Sequence, residues 1–178
     1  MRTATTIASS KHVDKRLGAL GAAAVAEISK DLRQLLADVF ALYVKTKGAH
    51  WHMTGAHFRD YHLLLDEQAE QMVAMIDEIA ERTRKIGGTT LHSIAEIVQN
   101  KRLSDETDFV SAHRMLSALA TDNAQLLASL RHSHELCAHH NDVASTSLIE
   151  VWIDQTERRL WFLYETLNVD QGFRGASE

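Results

Sequence analysis

A chain of 178 residues with 45% apolar and 24% charged residues has the composition of one globular domain, which excludes a disordered tail, a collagen-like fibre and a mucin-like stalk. The formal net charge of −5, with eleven histidines counted neutral, excludes a broadly basic, phosphate-seeking surface, so any contact with nucleic acid must be local. Cys137 is the only cysteine, the first ten residues lack the apolar run of a secretory leader, and no apolar stretch nears the roughly 20 residues that span a bilayer; the expectation is a cytoplasmic protein with no membrane partner.

Proline is absent, and residues 89 to 171 contain no glycine either, so long helices are the expected element. Residues 1 to 16 carry Arg2, Lys11, Lys15 and Arg16 against Asp14, with no sustained apolar period. They read as a flexible, mildly basic arm whose four cations are the candidate DNA contacts. A helical domain is expected over residues 17 to 170, followed by a short tail over 171 to 178. From about Gly18 to His52, apolar residues recur at Ile28, Leu32, Leu35, Val39 and Leu42, the spacing of an amphipathic helix. His50 follows Val39 by three helical turns and so falls in phase with the buried stripe.

A break at Met53-Thr54-Gly55-Ala56 precedes a second helix with Phe58, Tyr61, Leu65, Ala69, Met72, Ile76, Ile79 and Ile86, stopped by Gly87-Gly88. Its polar face is assigned to Asp60, Glu67, Gln71, Glu78 and Arg82. The connection over residues 88 to 104 is too long for a tight hairpin, and Leu91, Ile94, Ile97 and Val98 suit a small crossover helix. Ser104-Asp105-Glu106 resembles the cap of a third helix carrying Phe109, Leu116, Leu119, Leu126, Leu127 and Leu130, ended by His139-His140-Asn141-Asp142. A fourth long helix runs through Ile149, Ile153, Leu160, Leu163 and Leu167. Hairpin, long crossover, hairpin predicts an all-α, ferritin-like four-helix bundle with a short helix in the crossover.

The second helix holds His62 and Asp66 four residues apart, and Asp77 and Glu81 four residues apart, so each pair shares a face and can hold one cation. Such pairs also decorate ordinary solvated helices. These four, however, border the core stripe rather than oppose it, and share that flank with Val73. His62 and Glu81 have their midpoint between Gln71 and Met72, and so do Asp66 and Asp77. Within one chain His62 and Asp77 lie about 22 Å apart along the helix and cannot share an ion. Two copies packed antiparallel across a two-fold axis at that midpoint would set His62 and Asp66 of one chain against Glu81 and Asp77 of the other, making two equivalent sites. Coincident midpoints also arise by chance, so the symmetry poses the arrangement without fixing it. His50 can add a nitrogen ligand. Two imidazoles and three carboxylates suit a first-row divalent ion such as iron(II) better than a closed tetrahedral zinc site.

Other motifs fail. No Glu-x-x-His pair occurs, which disfavours a di-iron site inside one bundle. His134 and His139 are five apart and face different ways, unlike a zinc-protease helix, and there is no serine elbow or phosphate loop. His132, His134, His139 and His140 read as solvated surface, and Met72, Met75 and Trp152 as core or interface filler.

The run Lys47-Gly48-Ala49-His50-Trp51-His52-Met53-Thr54-Gly55-Ala56-His57-Phe58, followed by His62, Asp66, Asp77, Glu81, Arg82 and Gly87-Gly88, resembles the Dps mini-ferritins; Arg159 to Leu163 is similar to that family's last helix. His52 and Ala56 depart from the asparagine and proline often found there. The resemblance implies a ferroxidase centre shared between subunits, with His50, His62, Asp66, Asp77 and Glu81 as catalytic metal ligands and Lys47 and Trp51 supporting them. It also implies a hollow dodecamer built from two-fold dimers, which oxidises iron(II) with hydrogen peroxide in preference to oxygen, stores ferric oxyhydroxide, and thereby protects DNA. Asp142 and Glu150 are the candidate pore-lining or mineral-nucleating acids.

Two further functions compete. One is a nucleoid-condensing, nucleoid-associated protein that binds DNA through its basic arm, with iron chemistry secondary. The other is a small oxidase built on an isolated bundle, which would be active as a monomer.

Overall fold

The computed structural model describes residues 20–105 and 110–172, with side chains as far as 168. The basic arm with Arg2, Lys11, Lys15 and Arg16 lies outside the described residues, as do Phe109 and residues 173–178. Five helices follow in order: α1 Ala22–His52, α2 Phe58–Lys85, α3 Ile94–Asn100, α4 Ala112–His139 and α5 Val143–Gly172. No described helix is long and apolar enough to cross a membrane.

The four long helices form as expected because their apolar residues repeat with the helical period. Ile28, Leu32, Leu35, Val39 and Leu42 are all fully buried on α1, and Leu65, Met72, Met75 and Ile79 on α2. α1 packs against both α2 and α4, α5 packs against α4 and more sparsely against α2, and α3 lies on α1. Short turns join α1 to α2 and α4 to α5, so each pair is an antiparallel hairpin, and the long α2-to-α4 connection carries α3.

The helix ends have identifiable chemistry. α2 stops in a Schellman turn: Gly87 adopts a φ of 90°, its N–H donates to the Arg84 carbonyl at 3.0 Å, and the Gly88 N–H donates to the Thr83 carbonyl at 3.0 Å. α4 ends the same way, with Asn141 at a φ of 56° and the Asp142 N–H donating to the Cys137 carbonyl at 2.9 Å. α3 is capped by Ser93, whose hydroxyl accepts from the Glu96 N–H at 3.2 Å.

The cap of α4 differs from the sequence expectation. Ser111, not Ser104, precedes its first turn, and its hydroxyl accepts from the Arg114 N–H at 3.4 Å. Ser104 instead offers its carbonyl to the Lys45 ammonium at 2.7 Å.

Candidate metal centre

His50 enters the site from the last turn of α1, and His62 from the second turn of α2. The five residues between the helices reverse the chain over Gly55, whose φ is 105° and whose carbonyl accepts from the Phe58 N–H at 3.1 Å. Met53, only 2% exposed, belongs to the hydrophobic core. This tight reversal brings the two imidazoles together in a near-parallel stack, with centroids 3.6 Å apart and an interplanar angle of 20°. The Phe58 ring lies next to His62, with centroids 5.0 Å apart and an interplanar angle of 33°.

Each imidazole is fixed through the backbone of the other. His50 Nδ1 lies 2.8 Å from the His62 carbonyl, and His62 Nδ1 lies 3.0 Å from the His50 carbonyl. A carbonyl oxygen only accepts, so both Nδ1 atoms carry a proton, and in the neutral ring it is Nε2 that keeps the lone pair. That tautomer is the one coordination through Nε2 requires.

Asp66, one turn along α2, completes the cluster. Its Oδ1 lies 4.0 Å from His50 Nε2 and accepts a hydrogen bond from Lys47 Nζ at 2.6 Å. The Lys47 hydrogen bond, reinforced by the Lys47 charge, holds the Asp66 carboxyl below the usual aspartate range. His50 is buried, His62 half-buried, and the Asp66 side chain 45% exposed, so the cluster opens outward. Trp51 stands beside it, 66% exposed.

Asp77 and Glu81 are exposed further along α2, with Val73 beside them at 48% exposure. Glu81 accepts from the Lys85 ammonium at 2.8 Å, and this partner lowers its carboxyl pKa. The structure therefore brings His50, His62, Asp66 and Lys47 together and leaves Asp77 and Glu81 apart from them. Among the described residues, no three His, Cys, Asp or Glu side chains of one chain stand close enough to hold a metal ion.

Several polar residues have roles other than those expected. Arg82 leaves the solvent-facing set: its Nη2 donates to Asp142 Oδ1 at 2.5 Å and its Nε to Ser145 Oγ at 2.7 Å. Glu78 accepts from the Trp152 indole at 2.7 Å, and Gln71 accepts from Arg159 at 3.4 Å. The polar face of α2 is thus partly its seam with α5. Asp142 is 5% exposed and caps α5, accepting from the Ser145 N–H at 3.2 Å and its hydroxyl at 2.6 Å, which removes it from the candidate pore-lining acids. Glu150 is exposed and lies 3.0 Å from His134 Nε2. In the same histidine-rich stretch, His140 Nε2 lies 2.9 Å from Glu27.

The sequence reading overlooked Arg159. It is fully enclosed at the middle of the bundle and donates to Asn123 and Thr156. The signal was present, since Arg159 falls three residues after Thr156 and four before Leu163, in phase with the buried stripe of α5.

The family model for the ferritin-like domain matches residues 29–172. An uncharacterized low temperature-induced protein of a Nostoc species is 34% identical over 134 residues, 74% of this chain and 75% of that one. A DNA protection during starvation protein of Halobacterium salinarum is 33% identical over 125 residues, 68% of each chain. The crystal structure of antigen TpF1 from Treponema pallidum matches with a TM-score of 0.80 at 29% identity, covering 84% of this chain and 97% of that one.

Proposed function

The chain belongs to the Dps family of ferritin-like proteins, and on that premise we propose that it oxidises iron(II), preferring hydrogen peroxide to oxygen, and sequesters the ferric product as oxyhydroxide inside a hollow dodecamer, sparing DNA from oxidative damage. The observation that carries this reading is the paired imidazoles. Two histidines that fix each other's tautomer, next to a carboxylate on a partly open flank, form half of a metal site. Asp77 and Glu81 of a second copy are the complement, because they mirror Asp66 and His62 about the middle of α2. The exposed Leu63 and Val73 on the same helix suit contact with that copy.

The five side chains divide the work. Asp66, Asp77 and Glu81 neutralise the incoming cation and favour the more highly charged product, while the Nε2 atoms of His50 and His62 bind iron(II) without adding charge. Lys47 holds Asp66 in place until iron arrives. Two iron(II) ions each give one electron to one peroxide, whose O–O bond breaks to leave two hydroxides. Ferric ions then hydrolyse and move away from the site.

Mixed assembly tests the shared centre. A chain carrying His50→Ala and His62→Ala is co-refolded with one carrying Asp77→Asn and Glu81→Ala. Each parent alone should be inactive, and mixed dimers should regain one working centre. Verified mixed dimers that oxidise no iron(II) would sink the inter-chain scheme. An active monomer would sink it equally, in favour of an isolated-bundle oxidase.

A second reading, nucleoid condensation, rests on the excess of cations in residues 1 to 16. It requires DNA retardation that falls steeply with salt and disappears when those residues are deleted. Retardation that survives the deletion would rule out the arm.

A further inference from the structure

The middle of the bundle holds a hydrogen-bond acceptor and a hydrogen-bond donor that do not meet. Gln68 on α2 is 2% exposed, and its Nε2 donates to the Arg159 carbonyl of α5 at 3.3 Å, which fixes the amide's orientation. Its Oε1 is buried with no donor among the described residues. Arg159, 1% exposed, donates through Nη2 to Thr156 Oγ1 at 2.6 Å, through Nε to Asn123 Oδ1 at 3.0 Å and through Nη1 to Gln71 Oε1 at 3.4 Å. A guanidinium carries more N–H hydrogens than these three acceptors take up, and the Gln71 bond is a long one. Burial pulls the Arg159 pKa down to about 10, which still leaves the group charged at neutral pH.

Gln68 and Arg159 both line a gap between α2 and α5 that opens on solvent and has room for about one water molecule. A buried acceptor left unmet beside a charged donor with hydrogens to spare costs free energy that a bridging molecule recovers. The occupant must be small, must accept from a guanidinium and must donate to an amide oxygen. Chloride accepts without donating, a metal cation or ammonium ion is repelled by Arg159, and a polyatomic oxyanion is too large for the gap. Water meets all three requirements. It also leaves the Gln68 amide as it stands, whereas a direct bond from Arg159 to Oε1 would require the amide to release the Arg159 carbonyl.

We propose that one ordered water molecule bridges Gln68 Oε1 and the Arg159 guanidinium as a built part of the α2–α5 seam. It donates to Oε1 and accepts from Nη1, and Gln71 Oε1, which already faces Nη1, is the acceptor for its second hydrogen. The bridge fastens two helices that otherwise pack sparsely, and it spreads the buried charge toward solvent without an anion. This inference does not depend on the iron site. A high-resolution crystal structure of the intact, metal-free assembly tests it. The expected result is a single well-ordered water peak in each subunit, about 2.7 to 3.2 Å from both Gln68 Oε1 and an Arg159 nitrogen. Gln68→Met, similar in length but without an acceptor, should lose that peak while Arg159 keeps its bonds to Thr156 and Asn123. An empty gap, a Gln68 amide turned so that Oε1 meets Arg159 directly, a side chain such as Glu67 filling the gap, or a peak that persists in Gln68→Met would each overturn the proposal. The native map carries the test by itself if the variant fails to fold.

Discussion

Replacing Asp142 with alanine should destabilise the protein by about 4 kcal/mol. The carboxylate accepts from the Ser145 N–H and hydroxyl at the start of α5, and from the Arg82 guanidinium across the bundle. Loss of the cap costs about 1 kcal/mol. Breaking a fully buried ion pair costs roughly 3 to 5 kcal/mol, mostly because the abandoned charge stays buried. The Asp142 side chain is 4% exposed but that of Arg82 is 15% exposed, so water relieves part of the penalty and the lower end of the range applies. Asp142→Asn keeps an acceptor for Ser145 and loses only the charge, so it should cost about 1 kcal/mol less than the alanine change. Urea unfolding followed by circular dichroism measures both, at one fixed protein concentration because subunit association contributes to apparent stability. The double variant with Arg82→Met separates pair from cap: it should cost about 2 kcal/mol less than the two single changes added together. If Asp142→Ala falls within about 0.5 kcal/mol of the native protein, or if the cycle shows no coupling, this account of the α4–α5 joint is wrong.

Lys47→Met should tighten binding of iron(II) roughly tenfold at low salt, the effect of removing one like charge within about 5 Å of a divalent ion in a water-like dielectric; anaerobic calorimetry reads it, and weaker binding would make Lys47 an organiser of Asp66 rather than a competitor for it. Burial raises the Asp31 carboxyl above its ordinary value of 3.8, so the folded state holds this proton more tightly than the unfolded one, and stability is lost as pH rises from 3.8 through the folded value. Asp31→Asn should therefore gain stability relative to the native protein as pH rises above 3.8 and show no such gain below it; a pH-independent difference in urea midpoints would contradict this. Cys137 is fully buried and its thiol is pushed up to about 12, first by burial and then by Asp142 and Asp31, so iodoacetamide at pH 8 should label it only as fast as the protein unfolds. Mass spectrometry showing prompt labelling of folded protein would contradict that burial.

Most of the architecture was legible because it depends on phase. The α1 stripe from Ile28 to Leu42 is fully buried, and the Gly87-Gly88 stop is a complete Schellman turn. The start of α4 was misplaced because Ser104-Asp105 and Ser111 carry the same capping chemistry, and only packing decides which one precedes a helix. Arg82, Glu78 and Gln71 were assigned to solvent because polarity on a helix face cannot distinguish water from the polar side of a neighbouring helix; Asp142, Trp152 and Arg159 are those neighbours. Within the candidate site, the inward phase of His50 was readable from its distance to Val39. The reciprocal Nδ1-to-carbonyl locks were not, because they depend on how sharply the Met53–His57 turn folds one helix end onto the next.

The buried guanidinium also bears on where iron can bind. Ferritin-like di-iron proteins gather carboxylates and Glu-x-x-His pairs inside the bundle, where facing helices converge. Here α2, α4 and α5 converge on Gln68, Asn123, Thr156 and Arg159, a set with a positive charge and no carboxylate. In a low-dielectric interior that charge repels a divalent cation far more strongly than it would in water. The acids that could serve iron, Asp66, Asp77 and Glu81, all lie instead on the partly exposed flank of α2, where a lone helix offers too few ligands. With a positive charge where α2, α4 and α5 converge, the proposed iron site falls to the acids on the flank of α2, and on that reading a second copy supplies the missing ligands. Adding carboxylates to the interior while Arg159 remains would therefore produce ion pairs rather than a second iron centre.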